Sequence, residues 1–447
     1  MSDGRAKVAV VGAGISGLAA AHALRDDAQV TLFEAADYFG GHAHTVDITL
    51  PRSPTDATAI RHGVDTGFLV YNDRTYPELI KLLAALGVET AASDMSFSVQ
   101  APRDASGATL EWSGNNLSTV FAQRRNLLDG RFLGMLGDLL RFNRLTTRIA
   151  LAGTEAEMAQ PLRQFLDAHR FGSAFRDWYF LPMMGCIWSC PTQQMLEFPV
   201  ATMIRFCHNH GLIQIANRPQ WRTVRGGSRN YVDKIVATLD DARASTPVRR
   251  ITRTAHGVLI ATDAGTERFD HLVLATHSDQ ALALLADASA AEQATLGAIR
   301  YQSNHAVLHT DASVLPQRRS AWAAWNYEAG APAEGAATSD ASVCLHYLLN
   351  QLQPLPWAQP VVVSLNPLRP IARSQVMAEY DYAHPVFDLA AIRAQAAVRA
   401  LQGERGTWFA GAWMGYGFHE DGLKAGLAAA QGLRERLGAS DAARRAA

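Results

Sequence analysis

Lysine is scarce in this chain. Its 41 basic residues include only four lysines, Lys7, Lys81, Lys234 and Lys424, so chemistry that requires an amine side chain has few sources. Net charge is scarce as well: 41 basic against 42 acidic residues leave a formal charge of −1 over 447 positions. Nucleic acid is therefore not expected as a partner. The four cysteines, Cys186, Cys190, Cys207 and Cys344, are too few and too irregular for a disulfide framework. The run CxxxC followed by CHxH, which ends on His208 and His210, fits no familiar zinc spacing, and no metal is expected. Long apolar runs are also missing. One long uncharged stretch, Trp178 to Leu196, is broken by Pro182 and Pro191, which excludes a membrane span there. Nothing before the first strand resembles a cleaved signal, so reduced thiols and a cytoplasmic setting are expected.

Against these absences stands one dense motif. Val8 to Glu34 reads VAVVGAGISGLAAAHALRDDAQVTLFE, an apolar run entering Gly12, Gly14 and Gly17, followed by a second apolar run that ends on an acid. This is the pattern of a dinucleotide-binding βαβ unit. Gly12 permits the tight turn, Gly14 lets a pyrophosphate approach the backbone, and Gly17 lets the helix pack on the strand. Phosphate is expected at the helix N-terminus formed by Ile15, Ser16 and Gly17, where unpaired N–H groups favour negative charge. Glu34 falls where a carboxylate can accept both hydroxyl protons of an adenosine ribose. Ala35 and Ala36 beside it offer no cation for a 2′-phosphate. NAD and FAD share this geometry, so the motif alone leaves the choice open.

The rest of the chain favours FAD. YFGGHAHTVDI places Gly40 and Gly41 where backbone can pass close to a ligand, with His42 and His44 next to them. Near the other end, GAWMGYGFHEDG supplies Gly411, Ala412 and then Gly422 and Leu423 at the start of a helix. A flavin needs its adenine half and its ring held by separate elements, and a helix N-terminus stabilises negative charge on the reduced ring.

With these residues in hand, the chain resembles the flavin-containing amine oxidase superfamily, which includes phytoene desaturases and protoporphyrinogen oxidases. The resemblance implies an α/β fold in which a Rossmann-like FAD-binding domain is interrupted by a mixed α+β substrate domain. On composition and periodicity the first would comprise 1–74, 210–278 and 401–438, the second 75–209 and 279–400, with 439–447 a disordered tail. The resemblance also implies cofactor contacts from Ala275 and Thr276 at a strand end and an adenine contact from the backbone of Val248. Two departures matter. The family's Gly-Asp is Gly411-Ala412 here, and the amine oxidases' lysine near the flavin is replaced in AIRYQSNHAVLHT by Asn304 and His305.

The wording GYGFHEDG is similar to a bacterial subgroup of FAD-dependent oxidoreductases associated with cyclopropane-type fatty-acid methylation. That likeness implies dehydrogenation of a hydrophobic substrate, an acyl chain of a membrane lipid. Redox-neutral double-bond isomerisation, amine oxidation and a non-catalytic FAD-binding role in a lipid-modifying complex remain as alternatives. The electron acceptor is left open between oxygen, a quinone and another flavoprotein. His305 and His419 are the expected proton acceptors, and Tyr416 the expected wall of the substrate site. Trp178, Tyr179, Phe180, Met183, Met184 and Trp188 suit either a hydrocarbon tunnel or plain core. The segment 121–148, with six arginines against two aspartates, reads either as a basic amphipathic helix lying on the inner face of the cell membrane or as a core helix with a solvated face.

Overall fold

The computed structural model describes residues 4–104, 108–154, 158, 160–188, 192–213, 218–330 and 344–446. Apolar strands of four or five residues suit a sheet that is covered on both faces. Lys7–Val11 and Gln29–Phe33 pair in parallel on either side of the first helix, Ile15–Leu24. Asp241–Arg243, His271–Leu274 and Thr407–Phe409 complete a five-stranded parallel sheet, with Lys7–Val11 at its centre. Distant parts of the chain thus build one sheet, and the first and last helices cover the same face of it.

The second half is a seven-stranded mixed sheet ordered Val376–Val386, Arg300–His309, Val362–Leu365, Cys344–Leu348, Trp325–Glu328, Phe97–Pro102 and Thr109–Ser113. Helices between residues 130 and 209 bury phenylalanines against it, among them Phe132, Phe142, Phe165, Phe175 and Phe180. Trp178, Tyr179, Met183, Met184 and Trp188 lie in that same core, packed among neighbours.

The packing corrects several expected borders. The helix Pro77–Ala85, expected at the start of the substrate domain, buries Leu79 and Leu83 in the dinucleotide-binding core. Glu420 of the last helix caps it, accepting the N–H groups of Glu78 and Leu79 at 3.0 Å each. The helices Ser278–Leu284, Ala290–Leu296 and Leu389–Ala397 likewise pack with Leu272, Leu274 and Phe409 of the parallel sheet. In the other direction, Ile48, Leu50 and Val64 of the hairpin Thr45–Ser53/Asp56–Asp65 join the substrate core. The last helix runs from His419 to Ala446, so residues 439–446 are helical and not a disordered tail; Ala447 lies outside the described residues. Cys190 of the CxxxC pair also lies outside them.

Because Glu420 is buried and holds two otherwise unpartnered helix N–H groups, Glu420→Ala is expected to cost about 2–3 kcal/mol, as for a lost charge-assisted bond with buried donors left unpaired. Glu420→Gln, which keeps an acceptor, should recover part of that loss. Urea unfolding of the three proteins measures both differences.

Candidate active site

The glycines interlock. Gly12 is held at φ +98°, and a Cβ there would lie 2.9 Å from the Ala275 carbonyl oxygen and 3.2 Å from Thr276 Cγ2. A Cβ on Gly17 would come within 1.8 Å of the Gly12 oxygen and 3.2 Å of Ala275 Cβ. Ala275 and Thr276 therefore close the turn from beneath. The second glycine pair folds over it: Gly40 donates to the Ala13 carbonyl at 2.9 Å, and a Cβ on Gly41 would sit 3.1 Å from Gly14 Cα. Gly14 alone faces open space, with nothing within 4 Å of its would-be Cβ. It is also the N-cap of the first helix and gives it no side-chain cap, so the first-turn N–H groups of Ile15, Ser16 and Gly17 have no capping side chain over them. A concave turn of bare N–H groups is an anion cradle.

Glu34 closes one side of that cradle. Its carboxylate accepts the Ala13 N–H at 2.7 Å and the Ala36 N–H at 2.9 Å, one on each oxygen. Each oxygen keeps a lone pair for a ribose hydroxyl. Thr246 donates its N–H to the Glu34 carbonyl at 2.8 Å, which runs the start of the strand Val248–Thr254 alongside the acid and places Val248 two residues on.

The last helix brings the other half. A Cβ on Gly422 would meet Ile15 Cγ2 at 2.7 Å, Ser16 Oγ at 3.0 Å and Ala412 Cβ at 3.5 Å, and one on Gly426 would strike the Ser16 carbonyl oxygen at 2.1 Å. The N-termini of the first and last helices therefore converge, with Leu423 buried beside them. The acids at this end point away from the junction. Asp421 accepts the Tyr416 and Phe418 N–H groups at 3.1 and 3.0 Å, and burial pushes its carboxyl up to about 6. At the Gly411-Ala412 departure, Gln395 donates to the Trp413 and Gly415 carbonyls and Trp413 Nε1 donates to the Thr276 carbonyl, so neutral groups shape this loop.

Between the glycine loops and the substrate sheet lies a half-buried cluster of neutral polar rings. His42 sits with ring centroids 5.0 Å from Tyr382, 5.3 Å from His384 and 6.4 Å from His277. Burial and the neighbouring histidines hold its pKa well below the ordinary value, and its Nε2 is buried with no hydrogen-bond partner. His384 shares a 3.1 Å contact through Nδ1 with the Asn304 amide nitrogen, and burial takes it down to about 4. Tyr382 Oη lies 2.7 Å from Thr66 Oγ1 and 3.0 Å from His44 Nδ1. An orphaned buried imidazole nitrogen beside an anion cradle fits a dinucleotide, whose polar atoms would satisfy it.

The expected site residues divide. Gly12, Gly14, Ile15, Ser16, Gly17, Glu34, Gly40, Gly41, His42, Ala275, Thr276, Gly411, Ala412, Gly422 and Leu423 all border this one region. Tyr416 is half-buried, facing Phe206 of the substrate core at 6.2 Å between ring centroids. His419 is buried but already occupied: it stacks on Phe68 at 3.8 Å, its Nε2 is 2.6 Å from Tyr231 Oη, and burial lowers it to about 3. Such a group is a packed, neutral ring and a poor proton acceptor. His305 is misplaced as a base. It alternates with buried Asn304 on one strand, so its ring points outward, to Asp381 at 3.1 Å and Glu379 at 3.5 Å. The residues missed are Tyr382, His384 and His277. The first two lie on one face of Val376–Val386, and only strand parity could have marked them.

One further group of potential ligands, Glu328, Cys344 and His346, lies inside the substrate sheet. There His346 is held by Glu328 at 2.9 Å and Ser364 at 2.7 Å, and Arg369 pairs with Glu328 at 3.1 Å. These hydrogen bonds satisfy the group without a cation.

Similar folds are found in solved structures. A CLA-producing fatty acid isomerase from P. acnes superposes with a TM-score of 0.64 at 16% identity, over 95% of this chain and 97% of that one. Cyclohexylamine oxidase from Brevibacterium oxydans IH-35A gives 0.63 at 18%, over 97% and 100%. Putrescine oxidase bound to putrescine gives 0.65 at 15%, over 96% and 99%. At these identities the likeness establishes the fold. The family model for flavin containing amine oxidoreductases matches residues 15–317, more than half of the chain. The cradle, the acid beside it and the converging helix N-termini fit its cofactor, and with that match this chain belongs to the flavin-containing amine oxidoreductase family and is an FAD-dependent oxidoreductase.

Proposed function

We propose that this enzyme dehydrogenates a hydrophobic substrate, an acyl chain of a membrane lipid, at a carbon made labile by a neighbouring double bond or branch. The observation that carries this reading is the neutral cluster of buried Asn304 and Tyr382 with half-buried His384 and His42, Asn304 standing on the strand where an amine oxidase of this family would place a lysine. An ammonium substrate entering such a place would lose its hydration without gaining a counter-charge, which is costly. An apolar chain loses nothing.

FAD, when bound, supplies the hydride acceptor. The chain's own groups do the rest. Asn304, fully buried and tied by Asn366 at 2.8 Å, orients the His384 ring. Burial keeps His384 and His42 neutral but also makes them weak bases, so the proton released from the carbon adjacent to the oxidised one is relayed by these rings and not held on them.

A second reading, redox-neutral movement of a double bond, draws on the isomerase whose fold this chain shares over most of its length. Anaerobic mixing of the flavin-loaded enzyme with unsaturated or branched acyl lipids is expected to bleach the oxidised-flavin band and yield a product two hydrogens lighter. A product of unchanged mass favours isomerisation. Bleaching by simple amines with none by acyl lipids would overturn the proposal.

A further inference from the structure

The expected single basic helix over 121–148 is broken at Asp129. That residue ends a 3₁₀ turn, Arg124–Leu128, and caps the long helix Gly130–Ala152 by accepting the N–H groups of Arg131 and Phe132. The long helix buries Phe132, Met135, Phe142, Thr146 and Ile149 on one face. At 100° per residue, Leu133, Gly137, Leu140, Arg144, Arg148 and Leu151 fall on the opposite face, and all of them are exposed.

Six of the nine large apolar side chains left exposed among the described residues fall in this short region: Leu117, Leu127, Leu128, Leu133, Leu140 and Leu151. Leu128 is 92% exposed, Leu117 78% and Leu151 73%. A solvated helix face has no reason to carry them. Interleaved with them are arginines, while both acids of the segment are already engaged: Asp129 with Arg103, and Asp138 with Arg141 and the Gly172 N–H. The outer face of the long helix therefore carries leucines among arginines, with further exposed leucines on the turn just before it and an excess of one sign of charge. A protein partner would need a matching acidic groove. The interface of an anionic bilayer accepts exposed leucines and supplies the counter-charge for the arginines.

We propose that the outer face formed by residues 117–151 docks the enzyme on an anionic lipid bilayer. Its basis is the surface alone and does not depend on which molecule is oxidised. Among the described residues no helix is long and apolar enough to cross a membrane, so the contact is peripheral.

The flavin-loaded full chain is mixed with vesicles of phosphatidylglycerol and phosphatidylethanolamine, or of phosphatidylcholine alone, and sedimented. Binding to the anionic vesicles, falling with added salt, is expected. Leu128→Asp with Leu140→Asp should weaken it about tenfold or more while melting temperature and bound flavin stay unchanged, since both side chains are exposed. Recovery of the wild-type chain in the supernatant with both vesicle types at low salt would overturn the proposal. So would equal binding by the double variant. A self-association abolished by the same substitutions, with no vesicle binding, would assign the face to a second copy instead. None of these readouts involves turnover, so an incorrect substrate class leaves the test intact.

Discussion

Gly14→Ala is expected to give a folded protein that has lost its flavin, and Gly17→Ala a protein that does not fold. The two glycines lie three residues apart in the same motif, yet the space around them differs. Gly14 has φ −68° and nothing within 4 Å of the position a methyl would take, so alanine meets no strain and costs the apoprotein about 1 kcal/mol or less as a poorer N-cap. That open volume is where the pyrophosphate must come against bare backbone. A methyl placed there should weaken FAD binding about 100-fold, equivalent to about 2.7 kcal/mol. At Gly17 the methyl would lie 1.8 Å from the Gly12 oxygen, a distance no side-chain rotation relieves because both atoms are fixed by backbone. The helix must lift from the sheet at the centre of its core, a displacement expected to cost about 4 kcal/mol or more. Flavin released per chain, titration of the apoprotein with FAD, and apoprotein melting separate the two cases. Retention of flavin by Gly14→Ala with wild-type affinity would remove the cradle assignment.

Where the chemistry depends on backbone, the sequence is readable. Gly12, Gly17, Gly40 and Gly41 are required by close approaches and left-handed φ values that few other residues tolerate, so their positions declare the turn. Glu34 is readable because the βαβ unit fixes the distance to the end of its second strand. The side-chain chemistry is not. In AIRYQSNHAVLHT nothing local says which parity faces the site, and the choice between Asn304 and His305 is made by Val376–Val386, whose Tyr382 and Asp381 pair with them from opposite faces. Periodicity puts the helix Pro77–Ala85 in the wrong half for a similar reason. Its capping acid, Glu420, lies more than 300 residues away. At 121–148 the helical period is correct, but Asp129-Gly130, a cap and a helix start, is hidden inside what reads as a continuous run.

The apoprotein is expected to lose stability steeply below about pH 6.5, and the slope is set by histidines rather than by carboxylates. Burial takes His210, His309 and His384 down to about 4 and His419 to about 3, against an ordinary value of 6.5. For groups lowered on folding, the stabilisation is fully present above the unfolded value and is lost as pH falls toward the folded one. Asp65 and Asp421 act in the opposite sense. Burial raises both to about 6, so their contribution is present below the unfolded value and lost as pH rises through 6. At pH 5 the four histidines bind about 3.6 more protons unfolded than folded, and the two acids about 1.7 fewer. The balance of about two protons gives a slope near 3 kcal/mol per pH unit, a large share of a typical total stability of about 5–15 kcal/mol. His42, also lowered, adds to it. Urea unfolding of the flavin-free protein from pH 8 to 5 measures the slope, which should flatten above about pH 7.5 once unfolded histidines are neutral. His309→Gln, buried in the substrate sheet away from the flavin, should lower the slope at pH 5 by about one proton; Asp65→Asn should steepen it by nearly as much. Changes of the same sign in both variants would mean that these buried groups do not govern the acid limb.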